Sequence, residues 1–325
     1  MKTIVTGANG FLGSWLCKRL LAEGHDVTAL VRKSSDLSEI ENLKLNYAYG
    51  DVTDKASLQT AFKDKDYVFH LAGVIAYKKA DRPLMDKVNI GGTKNVVDVL
   101  TEQKQAKLLN LSSVVAVGAS FTPKELTEDS PYIIHKLNLG YFETKHTAEK
   151  IVCAAARENK IHAISVNPST IYGFGDAKKG SRKTQVKVAR GKFPFYTGGG
   201  VNVVAAEDVV DGIVKAIAKG RSGERYLLTS ENMTIKELFT KIAGFAGVKA
   251  PSIFMPFPVL KLIGQIGDLT GSGLSVENAY TASMYHWFNC DKAKKELGFS
   301  PRPSDIAIEN SVRWMKDHGY LGKTQ

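Results

Sequence analysis

At 325 residues, 43% hydrophobic and 24% charged, the chain has the make-up of an ordinary globular protein with room for one large or two unequal lobes. A net charge of +11 would suit nucleic acid, but the lysines are spread along the chain rather than clustered with aromatics; this argues against that class and for a basic, solvated surface helped by an anionic cofactor. Cys17, Cys153 and Cys290 lack metal-ligand spacing and do not suggest a disulfide framework, so no metal site and a reducing, cytoplasmic setting are expected, without a signal peptide.

The chain opens on KTIVTGANGFLG, Lys2 to Gly13. A short apolar strand (Ile4, Val5) runs into Gly7, Gly10 and Gly13 and then into a helical pattern. The first glycine permits a tight turn and the second lets backbone approach a pyrophosphate. The third lets the helix pack closely, with its N-terminal N–H groups aimed at the phosphate. A helix is expected over Phe11 to Glu23, ended by Gly24, followed by a strand at Val27 to Val31. A third strand, Tyr47 to Tyr49, leads into Asp51; then come a helix at Ala56 to Phe62 and a strand at Tyr67 to Leu71 ending in HLAG. Leu84 to Gln103 reads as a long helix, Leu108 to Leu111 as a strand, Asn138 to Glu158 as a helix, and Ala163 to Val166 as a strand that ends at Asn167 and Pro168. This alternation predicts an α/β fold: a doubly wound parallel (Rossmann) sheet with the ligand at the carboxyl ends of its strands.

After Pro168 the pattern loosens, and Gly173 to Gly200 reads as irregular, substrate-side structure. Asp208 to Lys219 returns as a helix and Arg225 to Leu228 as a strand. Thr234 to Phe245, Val259 to Leu269, Asp291 to Leu297 and Ser304 to His318 are expected to be helices of a smaller, mostly helical C-terminal substrate domain. The dinucleotide-binding domain is then 1–168 plus about 205–230, and the substrate domain about 169–204 and 231–325. Ile253 to Ile266 is apolar apart from Lys261 and Gln265. Shorter than the ~20 residues of a membrane span and broken by Pro256 and Pro258, it reads as a lid or pocket wall, so no stable membrane insertion is expected.

Tyr141 and Lys145 form a YxxxK motif inside a helix, which stacks phenol and ammonium on one face. A tyrosine of ordinary pKa ~10 needs help to exchange a proton at neutral pH, and a neighbouring ammonium would lower its pKa. Ser112 and Ser113 follow the fifth strand, where a hydroxyl can bind a carbonyl oxygen or simply cap backbone.

Taken together, the TGxxGxxG loop, the serines of LSSVVAVG, YxxxK and NPSTIYGFGD resemble, in order and spacing, the extended short-chain dehydrogenase/reductase superfamily (the NAD-dependent epimerase/dehydratase family). The resemblance covers Lys2 to about Tyr172, and Asp208 to Leu228 more loosely. Gly118 fixes the register so that Ser113 takes the catalytic place and Ser112 is its neighbour. The resemblance implies catalysis by Ser113, Tyr141 and Lys145. For Asn89, in VNIGGTKN, it implies either support of the active site or a helix-positioning role. For the cofactor it implies Gly7, Asn9, Gly10, Phe11, Leu12 and Gly13 in the loop and Arg32, Lys33 and Ser34 after the second strand. Asp51 and Val52, Leu71, Ala72 and Gly73, and Pro168 with Tyr141 and Lys145, complete the expected contacts.

Members of the superfamily that bind NAD end the second strand with an acidic residue for the adenosine ribose. Here the strand ends Leu30, Val31, Arg32, Lys33, Ser34, with Asp36 beyond it. A guanidinium and a hydroxyl suit a 2′-phosphate, so NADP(H) is expected. GFLGSWLCKRLL and LVRK are similar to the dihydroflavonol-4-reductase-like branch. Many sugar epimerases carry an arginine just before the segment matching Val203 and Val204, and a lysine after HLAG. Asn202, Val74 and Ile75 stand in those places, with Arg182 or Arg190 as substitute anchors. The expectation is an NADPH-dependent reductase of a ketone or aldehyde, the alternatives being an NDP-sugar epimerase or dehydratase and a non-catalytic NADP sensor. Its expected partner is a small-molecule carbonyl substrate, with a homodimer possible and nucleic acid excluded. Phe254, Met255, Phe257 and Leu260 could wall the substrate or serve core packing.

Overall fold

A computed structural model describes residues 1–178, 180–271 and 273–321; the last four residues of the expected substrate domain lie outside them. In the first half the elements are β1 (Lys2–Thr6), α1 (Phe11–Ala22), β2 (Asp26–Val31), β3 (Asn46–Tyr49), α2 (Lys55–Ala61), β4 (Tyr67–His70), α3 (Arg82–Met85), α4 (Thr93–Gln103), β5 (Lys107–Leu111), β6 (Glu125–Leu126), α5 (Gly140–Arg157) and β7 (Ala163–Pro168). There follow β8 (Thr170–Tyr172), α6 (Lys183–Ala189), β9 (Phe195–Tyr196), β10 (Gly200–Ala205), α7 (Ala206–Lys219), β11 (Arg225–Leu228), β12 (Glu231–Thr234) and α8 (Ile235–Ala246). The chain continues through β13 (Ile253–Phe254), α9 (Phe257–Thr270), α10 (Val276–Ser283), β14 (Trp287–Phe288), α11 (Asp291–Leu297) and α12 (Ser304–Asp317).

Ile4 and Val5 have no exposed surface because β1 lies mid-sheet, paired in parallel with β2 on one side and β4 on the other. The sheet is a seven-stranded parallel one in the order β11-β7-β5-β4-β1-β2-β3. Its order reverses between β1 and β4, and the crevice opens there at the carboxyl ends of the strands. Leu16, Cys17 and Leu20 of α1 pack with Val209 and Ile213 of α7 and with Ala293 and Leu297 of α11 on one face. Leu58 of α2, Val96 and Leu100 of α4 and Val152 of α5 cover the other. Truncating one of these leucines to alanine would cost about 2–5 kcal/mol. The doubly wound architecture agrees with the sequence expectation.

A second core lies on the three-stranded sheet β12-β10-β8, where Val201 and Val203 meet Phe239 and Ile242 of α8 and Ile308 and Val312 of α12. Several local features differ from the sequence reading. The long helix begins at Arg82 rather than Leu84 and passes through π-helical turns at Asp86–Gly92, where Gly92 lets Val52 approach; a Cβ there would lie 2.8 Å from Val52 Cγ2. The helix expected from Asn138 starts at Gly140, because Asn138 takes a left-handed φ of +49°. The stretch expected to be irregular contains α6, and β10, β12 and α10 were not anticipated. Finally, α11 packs against α7 and β11, so Asp291–Leu297 joins the large core and not the second lobe.

Candidate active site

The glycine loop meets the demands of a pyrophosphate cradle. Gly7 has φ +69°, and a Cβ on it would come 2.9 Å from the Ala72 nitrogen, so β1 and β4 can converge only without a side chain. A Cβ on Gly13 would fall 2.1 Å from the Gly7 carbonyl oxygen, so α1 sits directly on the loop backbone. Gly10 caps α1 with no side-chain bond, so the N-terminus of α1, at Leu12 and Gly13, can face an anion. Thr6 ties the two strand ends together: its Oγ1 accepts from the Leu71 and Ala72 amides at 3.2 and 3.1 Å and meets His70 Nδ1 at 2.9 Å. With both amides on the oxygen, the Thr6 proton goes to Nδ1, and His70 Nε2–H donates to Thr93 Oγ1 at 3.1 Å. Burial pushes His70 down to about 3, which keeps this bridge neutral.

Past β2, Arg32, Lys33 and Ser34 are exposed. The turn is closed by Ser35, whose amide donates to the Arg32 carbonyl at 2.9 Å. Asn9 donates to the Asp36 carbonyl at 3.0 Å and so anchors this turn to the glycine loop. The Asp36 carboxylate accepts from the Ser38 amide at 2.9 Å, a bond that holds its pKa below the ordinary value. Asp51 accepts from the Thr53 amide and hydroxyl at 2.8 and 2.9 Å, next to buried Val52. Gly73, beyond Leu71 and Ala72, lies beside Asn89 and Lys145: a Cβ on it would be 3.3 Å from Asn89 Oδ1 and 4.0 Å from Lys145 Nζ. Pro168 ends β7, next to the buried pair described below.

Tyr141 lies in the first turn of α5 and Ser113 follows β5, and their hydroxyls are hydrogen-bonded. Burial pushes the Tyr141 phenol up to about 12, with the Ser113 bond working against it. Lys145, one turn on, donates to the Leu111 carbonyl at 2.8 Å, and burial brings it down to about 8 against the pull of Glu149. The expected depression of the Tyr141 pKa by Lys145 is therefore not what the chain alone produces: desolvation outweighs every charge near the phenol. Asn89 sits in the π-helical turns and brackets Val74, accepting from its amide at 2.8 Å and donating to its carbonyl at 3.0 Å. It also donates to Thr144 Oγ1 at 3.2 Å, and Thr144 donates to the Tyr141 carbonyl at 3.0 Å. Asn89 is thus linked through Thr144 to the turn of α5 that carries Tyr141. The Ser112 hydroxyl is buried without a bonding partner among the described residues, unlike that of Ser113.

Several residues near this centre escaped the sequence reading. Glu277 of α10 reaches across to α5 and accepts from the Gly140 and Tyr141 amides at 2.9 and 3.1 Å, capping the helix that carries the tyrosine. Burial raises its carboxyl pKa, and those two bonds oppose the shift. The Tyr77 ring stands edge-on to Tyr141 at 6.0 Å, its phenol pushed up by burial and by Tyr141. Behind Ser113, Asn167 donates to the Ser113 carbonyl at 2.9 Å and to Glu149, which pairs with Arg225 at 2.9 Å. The serine at its strand end is thereby fixed from below. Capping at such range leaves no local sequence signal; the Glu149 link could have been suspected from a carboxylate one turn beyond Lys145.

Asn202 is bound within the protein. Fully buried in β10, it accepts from Ser169 Oγ at 2.6 Å and the Ser230 amide at 3.0 Å, and donates to Asn232 Oδ1 at 2.7 Å. It knits strands together inside the second sheet, so the place where many sugar epimerases carry an arginine holds a side chain bonded within the protein. Arg182 is also buried, stacked 3.8 Å over the Tyr172 ring, paired with Asp176 at 3.5 Å and bonded to the Ile171 carbonyl. Arg190 donates to the Tyr320 carbonyl. Of the expected greasy wall, Leu260 is buried, Phe257 packs on Tyr280 with ring centroids 5.0 Å apart, and Phe254 is half-exposed beside Tyr196. Among the described residues no group of three or more His, Cys, Asp or Glu could hold a metal, and no helix is long and apolar enough to cross a membrane.

Known proteins are similar to this one along nearly its whole length. A Synechocystis sp. protein provisionally described as a dihydroflavonol 4-reductase is 27% identical over 334 residues, covering 99% of this chain and 96% of the relative. Sterol demethylase protein B of Methylococcus capsulatus is 27% identical over 340 residues, covering 99% of this chain and 100% of the relative. The crystal structure of gox2253 superposes with a TM-score of 0.88 at 33% identity, covering 98% of this chain and 99% of that one. The family model described as NAD dependent epimerase/dehydratase family matches residues 3–228, the span that holds the glycine loop, Ser113, Tyr141 and Lys145. The chain belongs to that family, the extended form of the short-chain dehydrogenase/reductases.

Proposed function

We propose that the chain is an NADPH-dependent reductase of a ketone or aldehyde, and that the end of β2 carries this reading. Arg32, Lys33 and Ser34 present a guanidinium, an ammonium and a hydroxyl where NAD-binding sites place a carboxylate, and all three are exposed. That set suits a 2′-phosphate. The bound nicotinamide supplies the hydride. Ser113 donates a hydrogen bond to the substrate carbonyl oxygen, and Tyr141 gives that oxygen its proton, completing the alcohol. A phenol held up at about 12 stays protonated at neutral pH, the form a reductase needs and an alcohol-oxidising enzyme does not. Lys145, still charged below about 8, holds the cofactor ribose and favours the developing phenolate. A division into a dinucleotide-binding part (1–168 and about 205–230) and a substrate part is supported by the separate apolar clusters on the two sheets, with α11 packed in the first. The three free thiols suit a reducing, cytoplasmic compartment.

The other reading is an NDP-sugar epimerase or dehydratase on the same scaffold. Against it stand the absence of an arginine at Asn202 and the burial of Arg182, which stacks on Tyr172 and pairs with Asp176. Purified protein offered NADPH with a panel of apolar ketones and aldehydes should lose nicotinamide absorbance in step with alcohol formed. Conversion of sugar nucleotides without any net change in NADPH would replace the reductase reading by the epimerase one.

A further inference from the structure

Most amphipathic helices turn their apolar stripe inward; α9 turns one outward. Val259, Leu262, Ile263, Ile266 and Leu269 recur at the spacing of a single helical face. All are exposed, Leu262 by 57% and Leu269 by 88%, and Ile253 and Phe254 just ahead of the helix are half-exposed as well. The inward face is made of Leu260, Gly264 and Gly267. A Cβ on Gly264 would lie 2.8 Å from the Ser275 backbone, so the helix is seated tightly on α10, which fixes its orientation. Scattered exposed apolar residues need no explanation, but a contiguous face of this kind does.

The charges around the stripe indicate what covers it. From Ile253 to Thr270 the chain carries one lysine and one aspartate, and the aspartate, Asp268, is turned inward to the Val276 amide at 3.3 Å. The rim is cationic. Lys78 donates to the Gly271 carbonyl at 3.2 Å at one end, with exposed Lys79 beside it in sequence. At the other end exposed Lys236 lies 5.2 Å over the Tyr196 ring, which packs on Phe254. Lys261 lies along the side, 5.9 Å over Tyr280. An apolar stripe edged by lysines on a chain of net charge +11 matches a bilayer surface containing anionic lipid, with the helix lying in the plane and not crossing it. We propose that α9 docks the protein on anionic membranes. The same helix is seated on α10, whose Glu277 holds the Tyr141 helix, so docking brings the wall of the active site against the leaflet, a source of apolar carbonyl substrates. The proposal stands apart from the reductase reading, since vesicle binding is measured without turnover.

Co-sedimentation of the full chain with phosphatidylcholine vesicles, with and without phosphatidylglycerol, tests it. Binding should require the anionic lipid and weaken as salt is raised. The double substitution Leu262→Ser with Ile266→Ser should weaken it by at least about tenfold. Ile306→Ser, a similarly exposed apolar position on α12, should leave it unchanged. Lys78→Glu with Lys236→Glu should weaken binding and flatten its salt dependence, which keeps the test open if the double serine variant fails to fold. Absence of binding at low salt, or binding that the substitutions leave intact, would overturn the proposal. A dimer abolished by the serine pair, without vesicle binding, would overturn it in favour of a second copy on the same face.

Discussion

Replacing Glu277 by alanine removes both acceptors from the N-terminus of α5, the helix that carries Tyr141 and Lys145. The lost bonds are the 2.9 Å and 3.1 Å contacts to the Gly140 and Tyr141 amides. Charge-assisted bonds of this kind contribute about 1.5–3 kcal/mol, and a carboxylate at a helix N-terminus about 0.3–2 kcal/mol. Burial already raises the Glu277 carboxyl pKa, so the native state pays part of that gain back in desolvation, and water can reach the freed amides. A net loss of about 2 kcal/mol follows, which lowers Tm by several degrees. Because one of the freed amides belongs to Tyr141, kcat should fall more than KM rises, and NADPH affinity, set at the glycine loop, should stay unchanged. Glu277→Gln keeps one neutral acceptor and should lie between. Scanning calorimetry and steady-state kinetics on the two variants check this. Unchanged Tm and kcat in both would refute the assignment of Glu277 as the tether of the catalytic helix.

Tyr141→Phe should abolish turnover while leaving NADP(H) binding nearly intact, since the phenol acts only in proton transfer; near wild-type turnover would remove it from the mechanism. Arg32→Asp should narrow or reverse a preference for NADPH over NADH by exchanging an attraction for a repulsion worth a few kcal/mol, as read by calorimetric titration. Lys145 has its pKa lowered to about 8, so it is charged below that pH and neutral above it, whereas Tyr141 at about 12 stays protonated throughout. The pH profile of kcat/KM should therefore fall as pH rises through about 8. A profile flat to about pH 10 would contradict the ribose-holding role of the ammonium.

Much of the parallel sheet could be read because most of its strands are short apolar runs closed by glycine or polar residues, and a buried parallel strand needs nothing else; β3, at the exposed edge, is the exception. The cradle was legible for the same kind of reason: Gly7 and Gly13 occupy places where a Cβ would collide with backbone, a constraint local enough to leave a motif. What could not be read depends on contacts made at long range. Nothing around Glu277 announces that it caps a helix far upstream, and nothing in VNVV announces that Asn202 is the hub of a buried polar knot joining Ser169, Ser230 and Asn232. The YxxxK motif gave the right face of the helix, but the balance between burial and charge at Tyr141 is a property of the packed site. The segment around α9 was apolar enough to be noticed; that its stripe faces out depends on Gly264 and Gly267 taking the inward side.

Net reduction with exchange of the cofactor is what separates a reductase from an epimerase on this scaffold. NADPH deuterated at the transferring position, incubated with protein and a carbonyl compound that it consumes, tests it most directly. One deuterium is expected in each alcohol formed, with an equal amount of NADP released. Deuterium retained on the cofactor, with sugar nucleotides interconverted and no NADP released, would contradict it.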